Sequence, residues 1–292
     1  MKPESKLKAD SLISNDDIQA FWKHGWIRVN ELLNTEQVAD ILEVWDQAMA
    51  DPPKYADIYG TSAAVADPIP QSSNEHVKVL GIVREPRVIN SKIERIARDT
   101  RTGEMVRTLL GAEHARLFSE AFLEKPPKSK GSKETAWHQD LCYEPLDRRS
   151  SLNIWAAVED MTYEQGTIEL ISGSHRLGPL GRVDLVNPAD MVAGLREDDI
   201  EFLQSVKHPD DVEGDRGVPI TRHSMKAGDA LVWQGLTLHH AAANMTDRRR
   251  RAYQRMYVSS DVRYTGAPDR RTDGSGLNVG DLFELDRFPI VA

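Results

Sequence analysis

The stretch AWHQDLCYEP, residues 136–145, places an imidazole and a carboxylate two residues apart, at His138 and Asp140. In a β-strand, side chains two residues apart point to the same face. If this stretch is a strand or the end of one, His138 and Asp140 face one point and Gln139 faces away. A nitrogen and an oxygen ligand side by side suit a divalent transition metal. A surface histidine beside an acid is the simpler alternative. The rest of the chain has to decide between this interpretation and a metal site.

An open iron(II) site needs a third ligand on the same face, and the usual set is two histidines and one carboxylate. The nine histidines of the chain are His24, His76, His114, His138, His175, His208, His223, His239 and His240. His24, His114 and His208 stand in helical or polar surroundings, so we expect their rings to be exposed to solvent. His76 and His223 adjoin predicted loops without a local partner. The histidine of the SGSH turn is expected to be structural.

The remaining candidates are neighbours, His239 and His240, in the segment GLTLHHAAAN. On a strand they point to opposite faces, so only one of them can face a metal. The alternative is one buried histidine with a single hydrogen bond beside an exposed neighbour. Periodicity alone does not choose between the two rings.

The composition of the chain argues against a nucleic-acid-binding, a disulfide-bonded or a membrane-spanning protein. Its 292 residues carry a formal net charge of −9 without a basic stripe, which argues against nucleic acid as a partner because phosphates attract basic surfaces. The one cysteine, Cys142, cannot form an intrachain disulfide and fits a reducing compartment. The start of the chain is polar, and no stretch approaches the ~18 consecutive apolar residues of a membrane span. We therefore expect a cytoplasmic protein with no membrane partner.

The spacing of apolar residues changes along the chain. Helical spacing predicts helices over 14–25, 34–49 and 88–111, the last in two pieces broken near Gly103. Alternating or short apolar runs predict strands over 26–33, 115–125, 135–140, 151–160, 166–172, 230–235, 236–242 and 250–260. Helices followed by many short strands are typical of a sandwich or barrel with helices at its side.

The remaining segments define the organisation of the chain. Residues 1–13 are predicted to be a loose tail, and residues 51–76, rich in Pro, Ala, Ser and Asp, a long loop. Residues 176–226 are predicted to be an insertion that contains a helix at 188–204 and acts as a lid. We find no internal repeat, so the economical interpretation is a single domain over 1–292.

Three segments, in order, resemble the phytanoyl-CoA dioxygenase (PhyH) family of Fe(II)- and 2-oxoglutarate-dependent oxygenases. They are FLEKPP followed by WHQDLCYEP, then LNIWAAVEDMTYEQGTIELISGSH, then AGDALVWQGLTLHHAAANMTDRRRRAYQRMY. The resemblance runs from about Phe122 to Tyr257, with Ser172 where the family usually has proline. It implies a mainly β chain with flanking helices, folded as a double-stranded β-helix, the cupin-like jelly roll.

The resemblance also implies the ligands. It selects His239 as the third metal ligand beside His138 and Asp140, and makes His240 the outward neighbour. In the family an arginine follows the distal histidine by eleven residues, which is Arg250 here. Its planar guanidinium is expected to bind the far carboxylate of 2-oxoglutarate. Iron(II) held by three protein ligands leaves positions open for 2-oxoglutarate and O₂.

Strand alternation gives independent support for Arg250. One face of its strand carries Arg250, Ala252, Gln254 and Met256. The other face carries Arg249, Arg251, Tyr253 and Arg255. One cation among small or neutral residues is typical of a pocket wall, whereas a run of arginines is typical of a solvated surface. We therefore predict that the first face lines the cofactor site and that the second is solvated.

Three further residues are predicted to contact 2-oxoglutarate. Trp155 is expected to form a wall of the cofactor site, with Asn153 on the same face of its strand. Thr135, just before the WHQD segment, is expected to offer its hydroxyl to the 1-carboxylate. A core position for the tryptophan is the simpler alternative.

The expected activity is oxidation of an unactivated C–H bond, most simply hydroxylation, with release of succinate and CO₂. The substrate is expected to be a small organic molecule such as a natural product of secondary metabolism or a lipid-like metabolite, and the protein a monomer or homodimer. Iron halogenases of this fold replace the metal-binding carboxylate with a small residue, so Asp140 argues against halogenation. A zinc hydrolase leaves Arg250 unexplained. The other alternative is a non-catalytic cupin-like binding protein. The loss of a metal ligand would favour it, but all three ligands are present.

Overall fold

The computed structural model describes residues 11–50, 81–88, 90–183 and 191–292, without the side chains of 81–83. The predicted loop 51–76 lies outside these residues, as do most of the predicted tail and the start of the helix predicted at 188–204. None of the helices within the described residues is long and apolar enough to cross a membrane.

Helices cluster in the first part of the chain. The described residues form α-helices α1 (Asn15–His24), α2 (Thr35–Ala50), α3 (Ser91–Ala97), α4 (Thr100–Leu110) and α5 (Glu197–Ser205). Helices α1 and α2 confirm the predictions over 14–25 and 34–49. Helix α5 confirms the second half of the helix predicted at 188–204, whereas residues 191–196 form a turn and a 3₁₀ segment instead.

Helix α1 begins and ends at residues whose side chains favour those positions. Ser14 caps its start: the hydroxyl accepts from the Asp17 amide at 3.1 Å, and the Asp17 carboxylate accepts from the Ser14 amide at 2.7 Å. Gly25 ends it with a φ of 84°, in the left-handed region. A Cβ at Gly25 would lie 2.4 Å from Nδ1 of His175, so this turn also needs glycine for close packing.

The predicted helix break near Gly103 is wrong. The chain breaks earlier, at Arg98 and Asp99, where the Asp99 carboxylate accepts from the Thr102 amide at 2.9 Å and caps α4. Gly103 lies inside α4 against the end of the chain. A Cβ there would lie 2.4 Å from the carbonyl oxygen of Val291, so this glycine marks a close approach of two backbones.

The strands form two antiparallel sheets. The described residues form strands β1 (Trp26–Val29), β2 (Gly81–Arg84), β3 (Ala115–Lys125), β4 (Ser151–Ala157), β5 (Ile168–Ile171), β6 (Val212–Glu213), β7 (Pro219–Thr221), β8 (Ala230–Gln234), β9 (His239–Ala241) and β10 (Arg250–Ser259). Within these residues the large sheet has the order β1-β8-β4-β10-β3-β2 and the small sheet the order β6-β7-β5-β9.

The two sheets face each other across an apolar interior. Trp155 and Leu231 of the large sheet share one buried cluster with Leu170 and Ala241 of the small sheet. The opposite face of the large sheet, including Ile154, packs against α1 to α4 in a second cluster. This arrangement is the predicted double-stranded β-helix with flanking helices.

The second face of β10 is buried, and the prediction that it is solvated is wrong. Arg251, Tyr253 and Arg255 are 8%, 0% and 0% exposed, whereas the Arg249 side chain is 47% exposed. Arg255 donates to a backbone carbonyl of α3 at 3.3 Å, and Tyr253 donates to the buried carboxylate of Glu120. Alternation along a strand separates two faces, but it does not reveal that helices cover the second one.

Buried histidines surround the end of α1. His24, His175 and His223 are 5–6% exposed, so the prediction that His24 is solvated is wrong. The rings of His24 and His208 lie 4.9 Å apart, and the Trp26 ring lies 4.8 Å from His208 and 5.2 Å from His223. Burial lowers the pKa of His24, His175 and His223 to about 4 each.

We expect these histidines to make folding sensitive to mild acid. The folded state keeps the rings neutral down to about pH 4, whereas the unfolded chain binds protons below about pH 6.5. The unfolded state therefore holds more protons between these values, so the stability from burying neutral rings is complete above pH 6.5 and is lost as pH falls. Replacing His223 by glutamine removes one such ring.

Urea unfolding of the parent and of His223→Gln between pH 7.5 and 4.5 checks this expectation. As the pH falls over this range, the unfolding free energy of the parent should decrease by about 2 kcal/mol more than that of the variant, since one pKa unit corresponds to about 1.4 kcal/mol. A constant difference for His223→Gln would contradict the argument.

Candidate metal centre

Two separate parts of the chain meet at His138 and His239. The two residues exchange backbone hydrogen bonds, N–H to carbonyl in both directions, at 3.0 Å each. The predicted strand 135–140 is therefore reduced to a single bridge beside β9, followed by a 3₁₀ turn at Asp140–Tyr143. The turn still brings Asp140 to the same side as His138.

The side chains of His138, Asp140 and His239 converge on one point. One nitrogen or oxygen of each lies within 4.8 Å of the others, and this is the single such group of three among the residues that the structure describes. Nε2 of His138 lies 3.6 Å from Oδ1 of Asp140, and Nε2 of His239 lies 3.4 Å from Oδ2. Two imidazoles and one carboxylate on one side are the set that holds an iron(II) ion with open positions.

Backbone carbonyls orient both imidazoles. Nδ1 of His138 lies 2.8 Å from the carbonyl oxygen of Ala136, and Nδ1 of His239 lies 3.0 Å from that of Thr237. These bonds place a proton on Nδ1 and leave the Nε2 lone pair for a metal. Burial lowers the pKa of His239 to about 4, so its ring is neutral near pH 7.

Asp140 supplies the negative charge of the site. Burial alone would raise its pKa, but interactions with His239 and His138 and a hydrogen bond from Trp233 outweigh burial and lower the pKa to about 2. Trp233 Nε1 and Asn153 Nδ2 donate to Oδ2 at 3.0 and 2.7 Å. The carboxylate is therefore ionised and held in one orientation.

His240 points away from this site. Its ring stacks on Trp137 at 4.0 Å, and its Nε2 lies 3.2 Å from Oε2 of Glu169. It lines an outer cavity of about 590 Å³ together with Trp137 and Thr135. Strand alternation thus separates the neighbours as expected, and His239 is the one that joins the cluster.

Arg250 is buried in the interior, and no carboxylate of the described residues lies within ion-pair distance of it. Its side chain is 0% exposed, and Nε, Nη1 and Nη2 have no hydrogen-bond partner among the described residues. Burial lowers its pKa to about 9, although Glu159 and Glu124 partly offset the effect. A buried cation with its donors free costs stability unless a ligand pairs with it, and the planar fork matches a carboxylate.

Trp155 lies directly beside this guanidinium. The Cζ atom of Arg250 is 5.0 Å from the centre of the Trp155 ring, and the buried Nε1 of Trp155 also lacks a partner among the described residues. The two side chains therefore leave several unpaired N–H donors in one part of the interior. Their chemistry fits the distal carboxylate of 2-oxoglutarate.

The other two predicted cofactor residues have protein partners. The Thr135 hydroxyl accepts from the Ala241 amide at 2.7 Å and so fastens the extended segment to β9. Asn153 is 1% exposed and donates to Asp140, which places it behind the metal ligand. Contact of either residue with 2-oxoglutarate stays a prediction.

Lys125 is a residue that the sequence did not single out. It is the cross-strand partner of Arg250 and is 0% exposed. Its Nζ donates to the backbone carbonyls of Lys133, Ala241 and Ala242 at 2.8–2.9 Å. This ammonium holds the end of β9 and the segment before His138 against β3, a role that only the folded chain reveals.

The comparison with known proteins identifies the family. The sequence profile of the phytanoyl-CoA dioxygenase (PhyH) family matches residues 21–252. The chain belongs to this family. The match includes the three converging side chains and Arg250, and it confirms the resemblance seen in the sequence.

Two curated relatives match part of this family member. Ectoine dioxygenase of Bordetella parapertussis is 27% identical over 172 residues, which are 58% of this chain and 51% of that protein. Phytanoyl-CoA dioxygenase of Arabidopsis thaliana is 28% identical over 164 residues, which are 52% of this chain and 47% of that protein. The chain spans about half the length of the curated relatives it matches.

A solved structure of similar fold covers nearly the whole chain. SnoN, a non-heme α-ketoglutarate-dependent epimerase from nogalamycin biosynthesis, superposes with a TM-score of 0.71 at 24% identity. The match covers 95% of this chain and 97% of SnoN. This likeness confirms the predicted fold.

Metal binding should distinguish the two neighbouring histidines. Anaerobic titration with Co(II), followed by its visible absorption, should give about one bound ion per chain in the parent. His239→Ala removes a direct ligand, so its affinity should fall by more than the roughly 10–100-fold that loss of an outer partner costs. The matched change His240→Ala should leave affinity within about threefold, because that ring faces the outer cavity. The reverse order would assign the ligand to the other ring.

Proposed function

We propose that the protein is an Fe(II)- and 2-oxoglutarate-dependent oxygenase that oxidises an unactivated C–H bond of a small organic substrate, most simply by hydroxylation. One observation carries the proposal: the buried guanidinium of Arg250 has no hydrogen-bond partner among the described residues and shares the interior with a cluster of two histidines and one aspartate. The cluster suits a metal with open positions, and the guanidinium suits the far carboxylate of an α-keto diacid.

Different residues would bind the metal and the cosubstrate. His138 and His239 offer Nε2 atoms, and ionised Asp140 supplies one negative charge to the metal. Arg250, backed by Trp155, binds the distal carboxylate and fixes the direction in which the cosubstrate lies. When bound, iron(II) with 2-oxoglutarate and O₂ supplies the oxidising power, and 2-oxoglutarate is converted to succinate and CO₂.

Two features favour oxygenation over the alternatives. Asp140 is present and held by two donors, which leaves no gap for a halide in place of the carboxylate. A binding protein without turnover would gain nothing from an open metal set beside an unpaired buried cation, which costs stability. We propose a natural product or a lipid-like metabolite as the substrate, and a monomer or homodimer as the active form.

Succinate formation tests the function. The parent protein loaded with iron(II) should convert 2-oxoglutarate to succinate in the presence of O₂, and a metabolite panel should contain a compound that accelerates this and gains one oxygen atom. His138→Ala should fold equally well and form no succinate above background. Equal succinate formation by this variant would overturn the proposal.

Arg250 should control the 2-oxoglutarate requirement. Leaving the buried partner of an ion pair unpaired typically costs about 3–5 kcal/mol, and tenfold in affinity is about 1.4 kcal/mol. Arg250→Leu should therefore raise the 2-oxoglutarate concentration for half-maximal succinate formation at least about a hundredfold, with Co(II) affinity nearly unchanged. Arg250→Lys should recover part of the loss, because a point charge cannot reproduce the fork.

Arg249→Leu is the matched control for this prediction. The Arg249 side chain is 47% exposed and lies 3.8 Å or more from its nearest carboxylates. Its removal should change the 2-oxoglutarate requirement by less than about twofold, since exposed ion pairs contribute little. An effect at Arg249 larger than that at Arg250 would refute the assignment of the clamp.

A further inference from the structure

A chain of three side chains runs from β10 to the metal cluster. Gln254 Nε2 donates to Asn153 Oδ1 at 3.0 Å, and Asn153 Nδ2 donates to Asp140 Oδ2 at 2.7 Å. Asn153 is 1% exposed and lies between the two strands and the metal turn. The chain lies in the barrel interior, because Gln254 shares its face of β10 with Arg250.

The direction of these hydrogen bonds follows from chemistry. An ionised carboxylate can only accept, so Asn153 must turn its NH₂ toward Asp140. The amide oxygen of Asn153 then faces Gln254, which must donate. Gln254 thus reinforces the orientation that Asp140 imposes on the Asn153 amide and fixes the amide from its other side.

The two carboxylate oxygens of Asp140 differ in the hydrogen bonds that they accept. Oδ2 accepts from both Asn153 and Trp233, whereas no described side chain or amide donates a hydrogen bond to Oδ1. Oδ2 lies 3.4 Å from Nε2 of His239 but already accepts two hydrogen bonds, so Oδ1, 3.6 Å from Nε2 of His138, is the oxygen that would be free for a metal. A carboxylate that ligates through one oxygen leaves a coordination position that two-oxygen binding would occupy.

Strand β10 connects this chain to the cofactor clamp. Gln254 lies four residues after Arg250 on the same face, and its cross-strand partner in β4 is Trp155, which lies beside the guanidinium. One strand therefore carries both the cation for the cosubstrate and the amide that orients the metal-binding carboxylate. Their spacing is fixed by the strand itself.

We propose that Gln254 is a positioning residue, which acts through Asn153 to hold the Asp140 carboxylate in the orientation that would offer Oδ1 to a metal. The proposal rests on the metal site of the proposed function and goes beyond it by giving a role to a residue that touches no ligand. The hydrogen-bond direction makes it specific: Gln254 acts as a donor, and a side chain of equal size that cannot donate does not replace it.

The test is Co(II) affinity, measured anaerobically by visible absorption without turnover. Gln254→Glu keeps the size but offers only acceptors, so the Asn153 amide faces an acceptor on both sides and loses its fixed orientation, and affinity should fall roughly 10–100-fold, as for loss of an outer partner. Gln254→Met removes the donor without adding an acceptor and should give a smaller fall. It also carries the test if the glutamate variant does not fold.

A double variant separates positioning from a general structural effect. In an Asn153→Leu background the relay is already broken, so Gln254→Glu should cause no further loss of Co(II) affinity. Gln234→Glu is the matched control: that side chain lies on the helix side of β8 and donates to the Phe21 carbonyl at 3.4 Å. Its Co(II) affinity should equal that of the parent.

Two results would overturn the proposal. One is Co(II) affinity of Gln254→Glu within about twofold of the parent, well below the roughly tenfold minimum expected. The other is a full additional loss in the Asn153→Leu background. Failure of the proposed function is distinguishable, because it would appear in the parent as absent Co(II) binding or absent succinate formation.

Discussion

The reciprocal backbone hydrogen bonds between His138 and His239 are the contact on which the site depends. They join two segments that lie far apart in the sequence, and they fix the register that puts both imidazoles on the inner side. A shift of one residue would turn His240 inward and His239 outward, because side chains alternate along a strand. Lys125 strengthens this register by binding carbonyls at the end of β9 and before His138.

The two buried cations of the interior, Lys125 and Arg250, differ in their hydrogen-bond partners. Lys125 uses three backbone carbonyls to satisfy its ammonium, so it stabilises the fold and has no donor left for a ligand. Arg250, directly across from it, has none of its donors paired within the described residues. The two neighbouring cations repel each other, and the anionic cosubstrate proposed to bind Arg250 would reduce that repulsion. The contrast supports the proposal that Lys125 is structural and that Arg250 binds the cosubstrate.

The sequence predicted the parts of the site that local spacing encodes. His138 and Asp140 lie two residues apart, so alternation applied even though their strand shortened to a bridge and a turn. Alternation also placed Arg250 on an inward face. It failed for Tyr253 and Arg255, because local spacing cannot show that helices α3 and α4 cover the other side of the sheet. The choice of His239 over His240 came from the family resemblance and not from spacing.

The contacts that the sequence could not reveal are those that depend on the register of the strands. Trp233 and Asn153 reach the same oxygen of Asp140 only because β8 and β4 pair with those two residues opposite each other. Gln254 enters the same network because β10 pairs with β4 on the other side. No short motif contains these contacts, since each depends on the stagger of separate strands. The register of β8, β4 and β10 therefore determines which oxygen of Asp140 accepts hydrogen bonds and which one would be free for a metal.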